Sequence, residues 1–500
     1  MEKSDVYQSI TGTTRRAAKP DVTVCLIVSD DRQLHRQDRV LDQQAGGVLS
    51  AARKRAECTG EVGEVTPVYA DRNRRYLLLG LGESSKLDAG KVRTAAAGLV
   101  AVLDKMAVRR VHLSVPREGI AGLDAAALAR ALGDGMGLGA LVFEDFKGTT
   151  AKKSKVTRLT VSTSHAATAH DIQQSLALSE SANFARRLAA TPPNIATTTR
   201  VAAEARRLAR ASRGLSCSVI KGKGLEKNRL VGLLNVGKAS KNPPCLIQLT
   251  YTPRGRTAGC VLLIGKTICY DTGGLNLKIN NTMKGMKYDK SGGAAVLGAM
   301  HAVARLRPRC RVVALLPTAE NSISDEAQRP DDILTYPNGV TVEVTSTDAE
   351  GRLVLADALA YGCRKIKPDA IIDVATLTGG VIVALGRACA GLWCEDDALR
   401  ARIESAAQIA GERVWRMPLF DDYKEMMKSK HADLWNLAPV RDAHPIQGAA
   451  FLSYFVDPKI PWAHIDIAGV ADVDKDQPPF VVGPTGFGVR LLAMLLQQWK

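Results

Sequence analysis

The chain has 500 residues, 46% of them apolar and 24% charged, with a formal net charge of +17 at pH 7. That length exceeds what a single hydrophobic core accommodates, so two or more domains are expected, and the composition is that of an ordinary globular protein. No uninterrupted apolar stretch approaches the roughly 18 residues that a membrane-spanning helix needs.

In chain order, the first 19 residues carry Glu2 and Asp5 and have no apolar run, so no secretory signal is expected. Arg15, Arg16 and Lys19 hint at a mitochondrial transit segment, but the early acids argue against one, and a cytoplasmic protein is the expectation. Residues 22–28, 76–81 and 111–115 are apolar runs of strand length, and residues 92–106 and 124–138 between them have helical spacing. This alternation predicts a smaller N-terminal α/β domain over residues 1–165. The polar, basic stretch 147–158 places a linker near residues 147–170. Asp171 is expected to cap a long amphipathic helix running to about residue 190, where Pro192 and Pro193 end it.

Residues 171–500 are expected to form a larger C-terminal α/β catalytic domain. The strands 245–250, 260–264, 311–316, 370–375 and 462–467 are almost continuously apolar, which suits a mixed, mainly buried sheet. Ten cysteines lie scattered between Cys25 and Cys394 without a CxxC pair, a pattern of reduced thiols. The eight histidines include no HExxH, so any metal must be held mainly by carboxylates or amines.

Two glycine motifs mislead. Gly232-Leu-Leu-Asn-Val-Gly237-Lys238 resembles a phosphate loop, but Ala239 lacks the hydroxyl that such loops use. Gly80-Leu81-Gly82 begins a dinucleotide fingerprint, but Ser85 stands at its third position, and a strand-ending turn is expected instead.

The chemistry concentrates in two segments. One runs Gly265-Lys266-Thr-Ile-Cys-Tyr-Asp271-Thr-Gly273-Gly274, then Lys278, then Met286-Lys-Tyr-Asp289-Lys-Ser-Gly292-Gly293. The other is Ser346-Thr347-Asp348-Ala349-Glu350-Gly351-Arg352-Leu353. Residues 340–345 alternate like a strand and a helix begins near Gly351; in extended backbone between them, Asp348 and Glu350 present both carboxylates to one side. Two parallel carboxylates repel, and a cation is the natural remedy. The first segment repeats this layout, with Asp271 before paired glycines and Asp289 at the head of a helix. Four carboxylates thus converge where open α/β sheets place their sites.

These segments, with Ala375-Thr376-Leu377-Thr378-Gly379 and Trp462-Ala463-His464-Ile465-Asp466-Ile467-Ala468-Gly469, resemble the leucyl (cytosol) aminopeptidase family over about residues 170–500. The resemblance implies an enzyme that removes N-terminal residues from peptides with two divalent metals (zinc, manganese or cobalt). Position by position, Asp271 and Glu350 are implied to bridge the metals, Asp348 to complete one site, and Asp289 and a neutral Lys266 the other. Two dications depress the lysine pKa enough for that. A metal-bridging hydroxide is the implied nucleophile. Lys278 is implied to stabilise the oxyanion. Arg352 cannot act as a base, and the family's answer is a bicarbonate ion held by this arginine. Met286, Thr376, Leu377 and Gly379 match a side-chain pocket suited to leucine and methionine. A homohexamer is implied as well.

Ser346 and Thr272 depart from the family's usual asparagine and serine, and the loop from Asn321 to Asp332 is altered. His464 is expected to be a core or interface histidine, not a ligand. Glu320 and Asn321 either support the site or cap a loop. The +17 charge motivates a second reading, a DNA-binding structural role added to the peptidase or replacing it.

Overall fold

The computed structural model describes residues 9–13, 19–71, 74–150, 158–255 and 257–499. Arg15, Arg16 and most of the expected linker at 147–158 lie outside them. The chain divides into two compact units, Met1–Asn183 with Val473–Gly483, and Phe184–Asp472 with Pro484–Lys500. The division between the two units falls inside the helix Ala166–Ala190. Asp171 sits within that helix and does not cap it: the alanines at 166, 167 and 169 are strong helix formers and extend it backwards.

In the N-terminal unit six strands form one sheet, in the order Ser9–Thr13, Arg158–Thr163, Arg110–Ser114, Val22–Ile27, Arg75–Gly80, Val65–Tyr69. All neighbours are parallel except the last pair. The helices Ala89–Lys105 and Ala125–Gly139 are capped by Asp88 and Asp124, whose carboxylates accept from the backbone N–H of Lys91 and Ala127. They approach closely because Gly135 and Gly139 lack side chains; a Cβ at 135 would lie 2.2 Å from the Arg93 carbonyl oxygen. Gly80 ends the strand Arg75–Gly80, and Gly82 follows it at φ +84°, a backbone conformation that glycine adopts freely. Asp38 is buried in this unit and accepts from Ser114 Oγ at 2.5 Å; burial pushes its carboxyl up to about 6.

The larger unit is built on a mixed sheet in the order Val414–Arg416, Ala390–Trp393, Trp462–Asp466, Ala370–Ala375, Cys260–Gly265, Arg311–Asn321, Cys245–Tyr251, Leu215–Lys221. A ninth strand, Thr267–Asp271, pairs with the far end of Arg311–Asn321. The four central strands from Trp462–Asp466 to Arg311–Asn321 are parallel. Their side chains are buried on both faces, which is why the sequence shows unbroken apolar runs there. All four therefore end at the same edge of the sheet. Gly232–Gly237 belongs to the helix Val231–Gly237, not to a phosphate loop. Gly232 is required there because a Cβ would lie 2.1 Å from the Leu353 carbonyl oxygen.

Candidate metal centre

The site grows from strand ends. Gly265 closes a central strand and Lys266 follows it directly; Asp271 and Asn321 end their own strands; Thr376 follows the strand Ala370–Ala375. Close packing of the helix Ser291–Leu306 against this edge depends on glycine. A Cβ at Gly292 would lie 2.2 Å from the Val374 carbonyl oxygen, and one at Gly293 2.0 Å from Thr267 Oγ1. Asp289 precedes that helix in a single 3₁₀ turn, Met286–Lys290.

The carboxylates do converge, though not through extended backbone. The strand of the second segment is only Thr341–Glu343, Ala349 has φ −98° and ψ 40°, and Glu350 already opens the helix Glu350–Tyr361. The chain turns at Ala349 because Asn436 gathers the backbone there: its Oδ1 accepts from Thr345 N at 2.8 Å and its Nδ2 donates to Ser346 O at 2.6 Å. The turn leaves Asp348 partly exposed and Glu350 buried. One oxygen each from Asp271, Asp348 and Glu350 lies within 4.8 Å of the others.

Lys266 Nζ lies 2.8 Å from Asp289 Oδ1 and 2.9 Å from Glu350 Oε1, and donates to Thr376 O at 2.9 Å. Burial disfavours its ammonium, but the carboxylates of Asp289, Glu350 and Asp271 outweigh burial and hold its pKa above the ordinary lysine value. Lys278 Nζ lies 2.9 Å from Asp271 Oδ2 and 2.5 Å from Asp348 Oδ1; it too is held high by those carboxylates against burial. Burial, together with the crowding of like charge, raises Asp289 and Glu350 above the usual carboxylate range. Asp289 Oδ2 is buried and has no hydrogen-bond partner among the described residues. Arg352 donates from Nη1 to Asn436 O at 2.8 Å, its Nε has no partner among the described residues, and burial lowers it to about 10.

Besides Asn436, two groups to which the sequence assigned no role, Thr347 and Asp466, hold this arrangement. Thr347 Oγ1 donates to Gly273 O at 2.6 Å and accepts from Asn276 N at 2.8 Å, joining the two segments. Asp466 accepts from Leu377 N and from both N and Oγ1 of Thr378. Thr347 and Asp466 lay inside the motifs but without an assigned role, and Asn436 gave no local signal at all. Asn321 supports the site directly, donating to Asp271 Oδ1 at 2.8 Å, whereas Glu320 accepts from Ser240 and Asn242 instead. Thr272 Oγ1 donates to Asn321 O, and Ser346 Oγ accepts from Asp348 N. His464 is a core residue, fully buried with Nδ1 2.5 Å from Asp373 Oδ1.

All eleven residues expected at the site line one cleft of about 710 Å³: Lys266, Asp271, Lys278, Met286, Asp289, Asp348, Glu350, Arg352, Thr376, Leu377 and Gly379. Part of the wall is apolar, with Met286, Leu377, Ile382, Ala468 and Ala471. Among the described residues, no helix is long and apolar enough to cross a membrane.

Residues 183–493 match the model of the cytosol aminopeptidase family catalytic domain, and residues 25–150 match that of the family's N-terminal domain. A probable cytosol aminopeptidase of Solibacter usitatus is 40% identical over 452 residues, covering 89% of this chain and 92% of its own. One of Pseudomonas fluorescens is 35% identical over 499 residues, covering 98% of each. Among solved structures, the bottromycin maturation enzyme BotP in complex with Mn has a TM-score of 0.84 at 33% identity, covering 96% of this chain and 99% of its own. A tomato leucine aminopeptidase mutant has a TM-score of 0.84 at 31% identity, covering 98% and 96%. The chain belongs to the cytosol aminopeptidase family of metallo-exopeptidases.

Proposed function

We propose that the protein removes apolar N-terminal residues, leucine and methionine foremost, from peptides, using two divalent cations held by Lys266, Asp271, Asp289, Asp348 and Glu350. One observation carries this reading: one oxygen each from Asp271, Asp348 and Glu350 lies within 4.8 Å of the others, and Asp289 joins them through the Lys266 amine that it shares with Glu350. Asp289 Oδ2, without a partner among the described residues, fits the same donor set. Lys266 must lose its proton to join it, and two dications favour that loss where the carboxylates alone oppose it. When bound, such ions polarise the scissile carbonyl and activate water.

The rest falls to the chain's own side chains. Lys278, set between Asp271 and Asp348, is placed to offset negative charge developing on the carbonyl oxygen. Arg352 is the proposed seat of bicarbonate, which supplies the proton acceptor that a guanidinium cannot be. Met286, Thr376, Leu377 and Gly379 receive the first side chain. Zinc, manganese and cobalt are the candidate ions, and BotP's complex with Mn makes manganese the first to try. A homohexamer, the assembly implied by the family resemblance, is checked by light scattering.

The test is a panel of aminoacyl amides assayed with each metal. Leucinamide and methioninamide should be cleaved fastest and Asp348→Ala should be inactive; full activity in that variant would sink the proposal.

A further inference from the structure

We infer that the departing part of a peptide substrate extends into a second, apolar groove, which selects a large apolar side chain two residues past the cleaved bond. The inference rests on the peptidase reading above. The groove, about 980 Å³, borders the metal cleft, and the two share Leu437 and His444 as a common wall. Its lining is largely apolar and includes Val383, Met417, Pro439 and Val440. In the single chain Val383 is 89% exposed and Val440 45%, so both present apolar surface beside the cleft.

Continuity with the cleft identifies the occupant. A substrate whose first side chain rests on Met286 and Leu377 must lead its remaining residues out of the cleft. An extended peptide advances about 3.3 Å per residue, so its third residue is carried clear of the reacting bond. His444 stands on the shared wall, half-buried, and among the described residues its ring makes no hydrogen bond. Burial and the nearby Arg352 and Arg441 guanidinium groups outweigh Asp466 and hold it below the ordinary histidine pKa. A neutral ring offers one donor and one acceptor to the backbone of a passing peptide. Arg441 also lines the groove, so an acidic third residue is the competing preference to exclude.

The experiment measures steady-state kinetics of the metal-loaded, full-length protein on amidated tripeptides Leu-Gly-Xaa, with Xaa phenylalanine, leucine, glycine or aspartate, and leucinamide as the reference. Phenylalanine and leucine are expected to raise kcat/KM about tenfold over glycine, mainly through KM. That advantage is expected to disappear in Val383→Asp and in Val440→Asp, each judged by its own phenylalanine-to-glycine ratio. Equal rates across the wild-type panel, or a preference for aspartate, overturn the inference while leucinamide turnover leaves the peptidase reading standing. Absence of leucinamide turnover overturns that reading and the inference with it. Variants that change the oligomeric state but keep the apolar preference make the groove a contact between copies, and the inference falls.

Discussion

The end of Lys266 packs against the bare α-carbon of Gly351: a Cβ there would lie 2.5 Å from both Cε and Nζ. The amine cannot swing aside cheaply, because Asp289, Glu350 and the Thr376 carbonyl hold it from three sides. Alanine itself suits the helix Glu350–Tyr361 better than glycine by about 1 kcal/mol. Gly351→Ala should therefore fold normally by circular dichroism, yet bind metal at least about tenfold more weakly in a calorimetric titration. Unchanged metal affinity would remove Lys266 from the donor set.

Lys278 joins the buried Asp271 to the exposed Asp348. Lys278→Met removes the charge but keeps most of the stem. If the amine acts on the transition state, kcat falls about 10²–10³-fold while KM changes little. A rise in KM alone would make it a substrate-binding group.

Thr347 links the glycine turn at 273 to the carboxylate turn at 348 through one buried hydroxyl. Thr347→Val keeps the shape and leaves Gly273 O and Asn276 N without that partner. The expected loss is about 1–3 kcal/mol in chemical denaturation. Activity should fall with it, since both segments carry acids of the site.

Asp38 gives the N-terminal unit a pH signature. Its folded pKa, about 6, lies above its unfolded value of 3.8 because burial disfavours the carboxylate. Below 3.8 it is protonated in both states and costs nothing. As pH rises through 6 the unfolded state releases the proton more readily, and stability falls by about 3 kcal/mol. Asp38→Asn should gain on the wild type between pH 4 and pH 7, read by hydrogen exchange in the strand Val22–Ile27. An advantage that does not grow with pH would contradict this.

Much of the fold was legible because burial on both faces writes itself into a sequence as unbroken apolar runs; the strand Ala370–Ala375 lies where the pattern placed it. The short strand Thr341–Glu343 was overestimated, since the same alternation continues into a turn that distant Asn436 imposes. The long helix was started too late because Asp171 looks like a cap, while its alanine-rich beginning carries no punctuation. At the site, residue identities and intervals were readable, and the eleven named residues share one cleft. The geometry was not: Asp348 and Glu350 meet across a helix start, held by Thr347 and Asn436, whose partners lie about 70 to 90 residues away in sequence. Such contacts leave no local period to detect.

The most direct test counts metal ions. After dialysis against a chelator and then against zinc, manganese or cobalt, elemental analysis should find two ions per chain, and leucinamide hydrolysis should vanish and return in step. Hydrolysis that survives complete metal removal, or a chain that takes up no divalent ion, would contradict the account.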